Sequence, residues 1–352
     1  MLIIGFLHQS RNPRGVVKAY AFASVAKAEG VELLYFCPKH VNFETHTISG
    51  YIYENGDWNK VESRFPDVIY NTGSPEKLLK HKQIIEQLQM EIPFTTYSIG
   101  NKMSVYKRLK EAEEFTKYLI PSEIILNTND FFDFLNMYRK VVFKPRDGHK
   151  GEGVVYIEKI NDLYKINQSK TSETVNYYSL KNYISECLEK ESYLLQPYIH
   201  SKTKNGLVFD LRLHVQKNGN GEWVVTAIYP RFSLSDSIVA NINSGGATNY
   251  LMPFLKQEYA DDFFDMKRYL EVFSLQLAKH LDRLQIEKYN ETIDEIGIDV
   301  GLDDMNKIWI YEVNWRPGCP PTFYLELDVV KNTIHYAMYV AKNHELASGS
   351  DQ

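Results

Sequence analysis

A chain of 352 residues is long enough for two or three domains, each with a substantial core. Its composition, 44% hydrophobic and 24% charged with 25 Tyr and 18 Phe, excludes a disordered chain, and a formal net charge of -5 excludes a strongly basic one, so nucleic acid is not expected as the main partner. Cys37, Cys187 and Cys319 are far apart and form no C-x-x-C pair, which reads as reduced thiols in a cytoplasmic protein; the apolar run Met1–Leu7 is too short for a signal peptide, and no run is long enough to span a bilayer.

Leu2–Leu7 reads as a buried strand, Gly15–Ala28 as a helix and Val31–Cys37 as a second strand. That β-α-β order predicts a parallel sheet with the loop His8–Arg14 at its carboxyl edge, where open α/β sheets bind ligands. The loop lacks G-x-G-x-x-G, so the dinucleotide fingerprint is absent; His8, Arg11 and Arg14 can receive an acidic small molecule or form an ordinary solvated loop. Pro66–Tyr70 is another strand, running into Asn71-Thr72-Gly73 at the same edge, and a helix is predicted over Pro75–Leu88.

Near Ile99 the character changes, with Asn101 placed to cap a helix that starts at Lys102 and runs to about Tyr118. Val141–Phe143 is a strand leading into Lys144, Gly148, Gly151 and Gly153, and Val154–Ile157 follows as its hairpin partner. Such glycines let backbone N–H groups approach phosphate oxygens, although they also mark ordinary hairpins, and a Walker loop would open a helix instead. Asn161–Glu191 is polar, with a helix predicted in its second half; Ser192–Ile199 is a strand whose Pro197 places it at an edge or at a domain connection. Phe209–Val215 alternates so that Asp210, Arg212 and His214 share a face, and Trp223–Tyr229 pairs with it across a turn. Arg231 and the run from Asn241 to Gly246 lead to a long helix from about Phe263 to Leu284.

Two short apolar stretches close the chain's chemistry, Ile296–Leu302 and Lys307–Pro321. They carry Asp299, Glu312 and Asn314, although a buried, unpaired carboxylate costs several kcal/mol or turns neutral. Pairing through the polar turn Asp303–Lys307 lets the three side chains converge, with Glu312 and Asn314 on one face. Two carboxylates and an amide, with no His or Cys beside them, suit Mg²⁺ or Mn²⁺; a solvent-facing hairpin is the alternative.

The order of these stations is Lys102 at a helix start, Lys144 before a glycine hairpin, Q-P-Y-I at a strand end, D-L-R, N-I-N-S-G-G, G-I-D-V, then Y-E-V-N-W-R-P-G. Over about Ile99–Val340 the chain resembles the ATP-grasp superfamily. It is most similar to the branch of glutathione synthetase and the ribosomal-protein glutamate ligase, and within that branch to the spore-coat-associated YheC/YheD type. The resemblance implies an α/β (α+β) fold: a Rossmann-like N-terminal domain over 1–98, a lid and central subdomain over 99–200, a C-terminal subdomain over 201–345, and a tail from 346 to 352.

The resemblance also implies roles. Lys102 and Lys144 meet the ATP phosphates, and the loop of Gly148, Gly151 and Gly153 closes over them. Gln196, Pro197 and Tyr198 form a hinge that reads adenine through its backbone. Asp210 borders the nucleotide, Arg231 and Asn241 face the transferring phosphoryl group, and Asp299, Glu312 and Asn314 hold two Mg²⁺ ions, with Mn²⁺ an alternative. Arg316, two residues beyond Asn314, is the candidate anchor of the substrate carboxylate or acylphosphate, an ordinary surface ion pair being the alternative. The first domain matches nothing specific, and Arg11, Arg14 and Arg212 are candidate substrate contacts, the two loop arginines because of their place at the sheet's carboxyl edge. The hinge often has Glu where this chain has Pro197, and the branch often has Arg where this chain has Val239. The expected activity is a ligase joining the carboxylate of an acidic small molecule or peptide to an amine or thiol, through an acylphosphate formed from Mg-ATP. The alternative is a nucleotide-binding coat or scaffold protein that has lost turnover.

Overall fold

The protein is described by a computed structural model over residues 1–73, 75–146, 153–168, 171–233, 246–317 and 327–349. Strand β1 (Ile3–Leu7), helix α1 (Val17–Ala28) and strand β2 (Glu32–Phe36) form the expected β-α-β unit, with β1 parallel to β2. Beyond β2 lie β3 (Val41–Asn42), β4 (Thr47–Glu54) and β5 (Asp57–Arg64), while β6 (Val68–Asn71) pairs parallel on the other side of β1. The β4–β5 hairpin occupies a stretch for which the sequence reading offers no element. Its signal is Asn55-Gly56, whose φ angles of 53° and 85° match a two-residue hairpin turn. The helix expected over Pro75–Leu88 is two helices, α2 (Pro75–Leu78) and α3 (Lys82–Glu91), separated by a single 3₁₀ turn.

The next unit opens with α4 (Lys102–Glu111), where the Asn101 side chain accepts the Ser104 N–H at 2.9 Å and so caps the helix as expected. The helix stops at Glu111 rather than Tyr118, and Glu113 just beyond it has a left-handed φ of 61°. Strands β7 (Glu123–Ile125), β8 (Lys140–Pro145), β9 (Val155–Ile160), β10 (Leu163–Gln168), β11 (Thr171–Val175) and β12 (Tyr193–Pro197) make an antiparallel sheet in the order β11-β10-β9-β8-β12-β7. Helices α5 (Thr128–Tyr138) and α6 (Tyr177–Lys190) pack on it through Phe131, Leu135, Leu180 and Ile184 against Phe143, Ile157 and Leu195. Because β12 lies between β8 and β7, Pro197 is not on an edge strand; it is tolerated as the last strand residue, where the chain leaves for the next unit.

The third sheet runs β15-β14-β13-β16-β17: β13 (Phe209–Lys217), β14 (Trp223–Phe232), β15 (Ala247–Thr248), β16 (Glu295–Leu302) and β17 (Ile308–Trp315). Helix α7 (Leu251–Tyr259) and the long α8 (Phe263–Tyr289) cover one face, burying Leu211, Leu213, Val215, Ile296, Ile298 and Val300 against Leu270, Phe273 and Leu277. Since side chains alternate along a strand, the opposite face receives Asp210, Arg212, His214 and Gln216 from β13 and Glu295 and Asp299 from β16, all of them buried. Helix α9 (Asp328–Gly349) then returns to the first sheet, where Val330, Ile334, Ala337 and Ala341 join the core of Ile4, Phe6, Phe22 and Val68. The first and third sheets are therefore clamped by one helix. The architecture is mixed α/β, and among the described residues no helix is long and apolar enough to cross a membrane.

Candidate functional site

Pairing of β16 with β17 runs Asp299↔Glu312 and then Val300↔Ile310, so Tyr311 is an extra, bulged residue. The bulge resets the alternation: Ile308, Ile310 and Val313 enter the core beneath α8, while Tyr311, Glu312 and Asn314 turn to the polar face. The Tyr311 ring lies against Gly301, the register partner of Trp309, where a Cβ would overlap it. Burial pushes the Tyr311 hydroxyl far up, and the nearby Asp210 and Tyr198 push it further.

On this face Asp299 is the centre. Arg212, its cross-strand partner on β13, grips it with Nε and with Nη2, the latter at 3.0 Å; Nη2 of Arg231 lies 3.0 Å from Oδ2. Arg231 also holds Asp210 with both prongs, at 2.6 and 2.8 Å. Asn314 donates to Glu312 at 2.7 Å and to Asp299 at 3.4 Å, which brings the three oxygen-bearing side chains of the two strands together as expected. Burial acts to raise the carboxyl of Asp299, but Arg212 and Arg231 overcome it and hold the group below the usual carboxylate range. Burial pushes Asp210 up, against the pull of Arg231.

This set can hold a divalent cation in its oxygen chemistry. Asp299, Glu312 and Asn314 lie within a hydrogen bond of each other, and rotating the Asn314 amide would turn its oxygen toward the carboxylates. Among the described residues no group of three His, Cys, Asp or Glu forms a metal cage, so a cation here would complete its shell with water or phosphate oxygens.

The other expected residues lie on separate elements. Lys144 is on β8 opposite Leu194 of β12, and Lys102 opens α4. Gly153 has a φ of 71°, and a Cβ there would lie 2.8 Å from Pro145, so glycine is required. Gln196 spends its amide on Ser122 at 2.6 Å. Tyr198 donates its N–H to the Lys140 carbonyl at 2.9 Å and Pro197 has none, so neither residue has a backbone N–H to offer a ligand. Gly148, Gly151, Asn241, Val239 and Cys319 lie outside the described residues.

The substrate arginines need correction. Arg14 does not turn toward Arg316; its guanidinium is held by Asp57 at 2.6 and 3.1 Å and by the Trp58 carbonyl, pinning the loop to the β4–β5 hairpin. Arg11 is exposed, and its charge is felt by Cys37, His40 and His81 instead. Arg212 is committed to Asp299. Arg316 donates to the carbonyls of Asn71 and, at 2.8 Å, Gly73, and stacks on Trp315 with 3.7 Å between its carbon and the ring centre, so it fastens the loop after β17 to the first sheet. The basic groups that do reach Arg316 electrostatically are His8 and Lys18. Lys18 was hidden from sequence reading because it sits in an unremarkable helix turn.

An α/β domain followed by two antiparallel sheets is an order shared with solved ATP-grasp ligases. Among solved structures, the chain is similar to the ATP-grasp ligase PsnB complexed with a phosphomimetic variant of its minimal precursor, Mg and ADP: TM-score 0.56 and 11% identity, covering 96% of this chain and 98% of that one. It is also similar to the D-alanine-D-alanine ligase from Coxiella burnetii, with TM-score 0.52 and 9% identity, covering 99% of this chain and 98% of that one. The model of the YheC/D-like ATP-grasp family matches residues 91–340, and the chain belongs to that family. A relative, endospore coat-associated protein YheD of Bacillus subtilis (strain 168), is 27% identical over 327 residues, covering 87% of this chain and 70% of that protein.

Proposed function

We propose that this protein is an ATP-dependent ligase that activates a substrate carboxylate as an acylphosphate and passes the acyl group to an amine. The observation that carries the reading is the convergence of Asp299, Glu312 and Asn314 beside Arg231 on one buried face. A carboxylate oxygen of the substrate attacks the γ-phosphorus of ATP, and the bond from that phosphorus to the β–γ bridging oxygen breaks, releasing ADP. The amine nitrogen then attacks the acyl carbon, the carbon–oxygen bond to phosphate breaks, and the nitrogen loses its proton. Asp299, Glu312 and Asn314 would hold Mg²⁺, two ions on the family's pattern or Mn²⁺ in their place. Such a cation supplies charge neutralisation for the transferring phosphoryl group.

Arg231 would leave Asp299 to meet the same charge, with Lys144 and Lys102 on the ATP phosphates, the loop of Gly148, Gly151 and Gly153 covering them, and Asn241 completing the set. Once turned to the phosphates, these positive groups would stabilise the charge that develops in the transition state. The substrate is a small molecule or peptide carrying more than one carboxylate. The site of action is the cytoplasm, with association to the spore coat suggested by the coat-associated relative.

The test is ADP release from Mg-ATP with pools of amino acids and short acidic peptides. ADP formation should require both an acid and an amine and should disappear in Asp299→Asn. Mg-ATP binding without ADP from any pool would favour the second reading, a nucleotide-binding coat protein. One observation favours that reading: both oxygens of Asp299 are engaged by arginines, which a cation would have to displace.

A further inference from the structure

At the carboxyl edge of the first sheet, basic side chains from separate elements meet beside the loop that leaves β17. His8 follows β1, Lys18 lies in the first turn of α1, and Arg316 is tied to the carbonyls of Asn71 and Gly73 at the end of β6. The ends of β1 and β6 are adjacent, since Leu7 and Asn71 are in register and Thr72 donates its N–H to the Leu7 carbonyl at 2.8 Å. The charges of Lys18 and Arg316 both act on His8, and Arg316 acts on Lys18.

These groups have donors to spare. Among the described residues no hydrogen bond or ion pair holds the Lys18 ammonium, although the residue is partly buried. The Nε of Arg316 is buried without a partner. His8 Nδ1 lies 3.0 Å from both the Ser10 N–H and the Tyr35 hydroxyl; with Nδ1 accepting the Ser10 N–H, the ring proton is on Nε2. Burial and then Lys18 bring the pKa of His8 down to about 4, so the ring is a neutral donor. The carboxylate that attracts Lys18 is Glu295, but its oxygens are engaged by His214 Nε2 at 3.0 Å and by the Tyr70 hydroxyl at 3.2 Å. A partly desolvated ammonium with no partner costs free energy that an incoming anion recovers.

We propose that Lys18, with the Nε2–H of His8 and the Nε–H of Arg316 beside it, binds the carboxylate of an acidic substrate other than the one that reacts with ATP. The distinction between reacting and non-reacting carboxylates rests on the ligase reading; the anion site itself does not. The Lys18 ammonium, the remaining Nε–H of the Arg316 guanidinium and the neutral His8 donor can meet the two oxygens of a carboxylate; two cations, with Lys77 also acting on His8, would accept a phosphate too, so the test sets the two against each other.

The probes are L-glutamate, L-glutamine, glutamate α-amide and inorganic phosphate, titrated into the full chain carrying ¹³C-methylated lysines and followed by NMR. L-Glutamate should shift the Lys18 signal, and whichever amide lacks the carboxylate held by Lys18 should bind roughly tenfold or more weakly. Lys18→Met should weaken L-glutamate by a similar factor, and Lys18→Arg should restore most of it. The proposal is overturned if L-glutamate does not bind, if it binds no better than both amides, if only phosphate binds, or if Lys18→Met binds like the wild type. ADP release is measured separately. Lys18-dependent glutamate binding without ADP formation would leave the anion site standing and remove the ligase reading; ADP formation with an unchanged KM for the acid in Lys18→Met would do the reverse.

Discussion

Lys18 shows at the residue scale how a binding site is maintained at a cost to the fold. Burial, and then Arg316, lower its pKa from 10.5 to about 8, with Glu295 opposing; His8 and Lys77 also face this group of charges. Because the unfolded chain binds the proton more tightly, the penalty is complete below about pH 8, and stability rises with pH from there to about 10.5. Lys18→Met should therefore stabilise the ligand-free protein at pH 7 by on the order of 1–3 kcal/mol, and the gain should shrink toward zero near pH 11. Urea unfolding of both proteins at the two pH values measures it; an equal gain at both would show that the effect is apolar packing rather than charge. Glu312→Ala makes the complementary case. The side chain is only partly buried, so its loss should change stability by less than about 1 kcal/mol, while ADP formation should fall roughly 10²-fold or more. Retained turnover in that variant would remove Glu312 from the cation site.

At the scale of elements, the bulge in the β16–β17 hairpin decides what the site can be. The hairpin itself was readable, since apolar residues alternate on both sides of a polar turn and Asn306 takes the left-handed φ of 61° that such a turn needs. Glu312 and Asn314 were correctly placed on one face because that depends only on their spacing. Tyr311 was not readable as their neighbour, because a strand without a bulge would send it into the core. Gly297 is the matching small position: a Cβ there would lie 2.5 Å from Pro317 and 3.1 Å from the stem of Arg212. Gly297→Ala should push both away, costing about 1–3 kcal/mol and loosening the grip of Arg212 on Asp299. A calorimetric midpoint equal to that of the wild type would mean the Trp315–Pro317 turn yields freely.

At the scale of the whole molecule, the first and third sheets are held together by α9, for which the sequence reading offers no element. Ile334 is buried in the core of the first sheet, while the carbonyl of Val329 and the hydroxyl of Thr333 accept hydrogen bonds from Gln216 of the third sheet at 3.1 and 3.0 Å. Ile334→Ala should cost about 2–5 kcal/mol and lower the unfolding midpoint of both units together. Two separated transitions, with only the N-terminal unit shifted, would show that the clamp does not couple them.

Local pattern by itself determined the β-α-β start, the Asn101 cap, the paired strands of the third sheet and the oxygen chemistry of Asp299, Glu312 and Asn314, because periodicity, capping and ligand hardness are properties of short stretches. The ordered motifs were enough to reach the family. Only the tertiary structure decided where long side chains spend their charge. Arg14 went to Asp57, Arg212 to Asp299 and Arg316 to two backbone carbonyls, while Lys18 was left with no hydrogen bond or ion pair among the described residues. A guanidinium on a flexible stem reaches several Å from its own backbone. Its partner is therefore chosen by whichever carboxylate or carbonyl the fold brings within that reach, and no spacing along the chain records the choice.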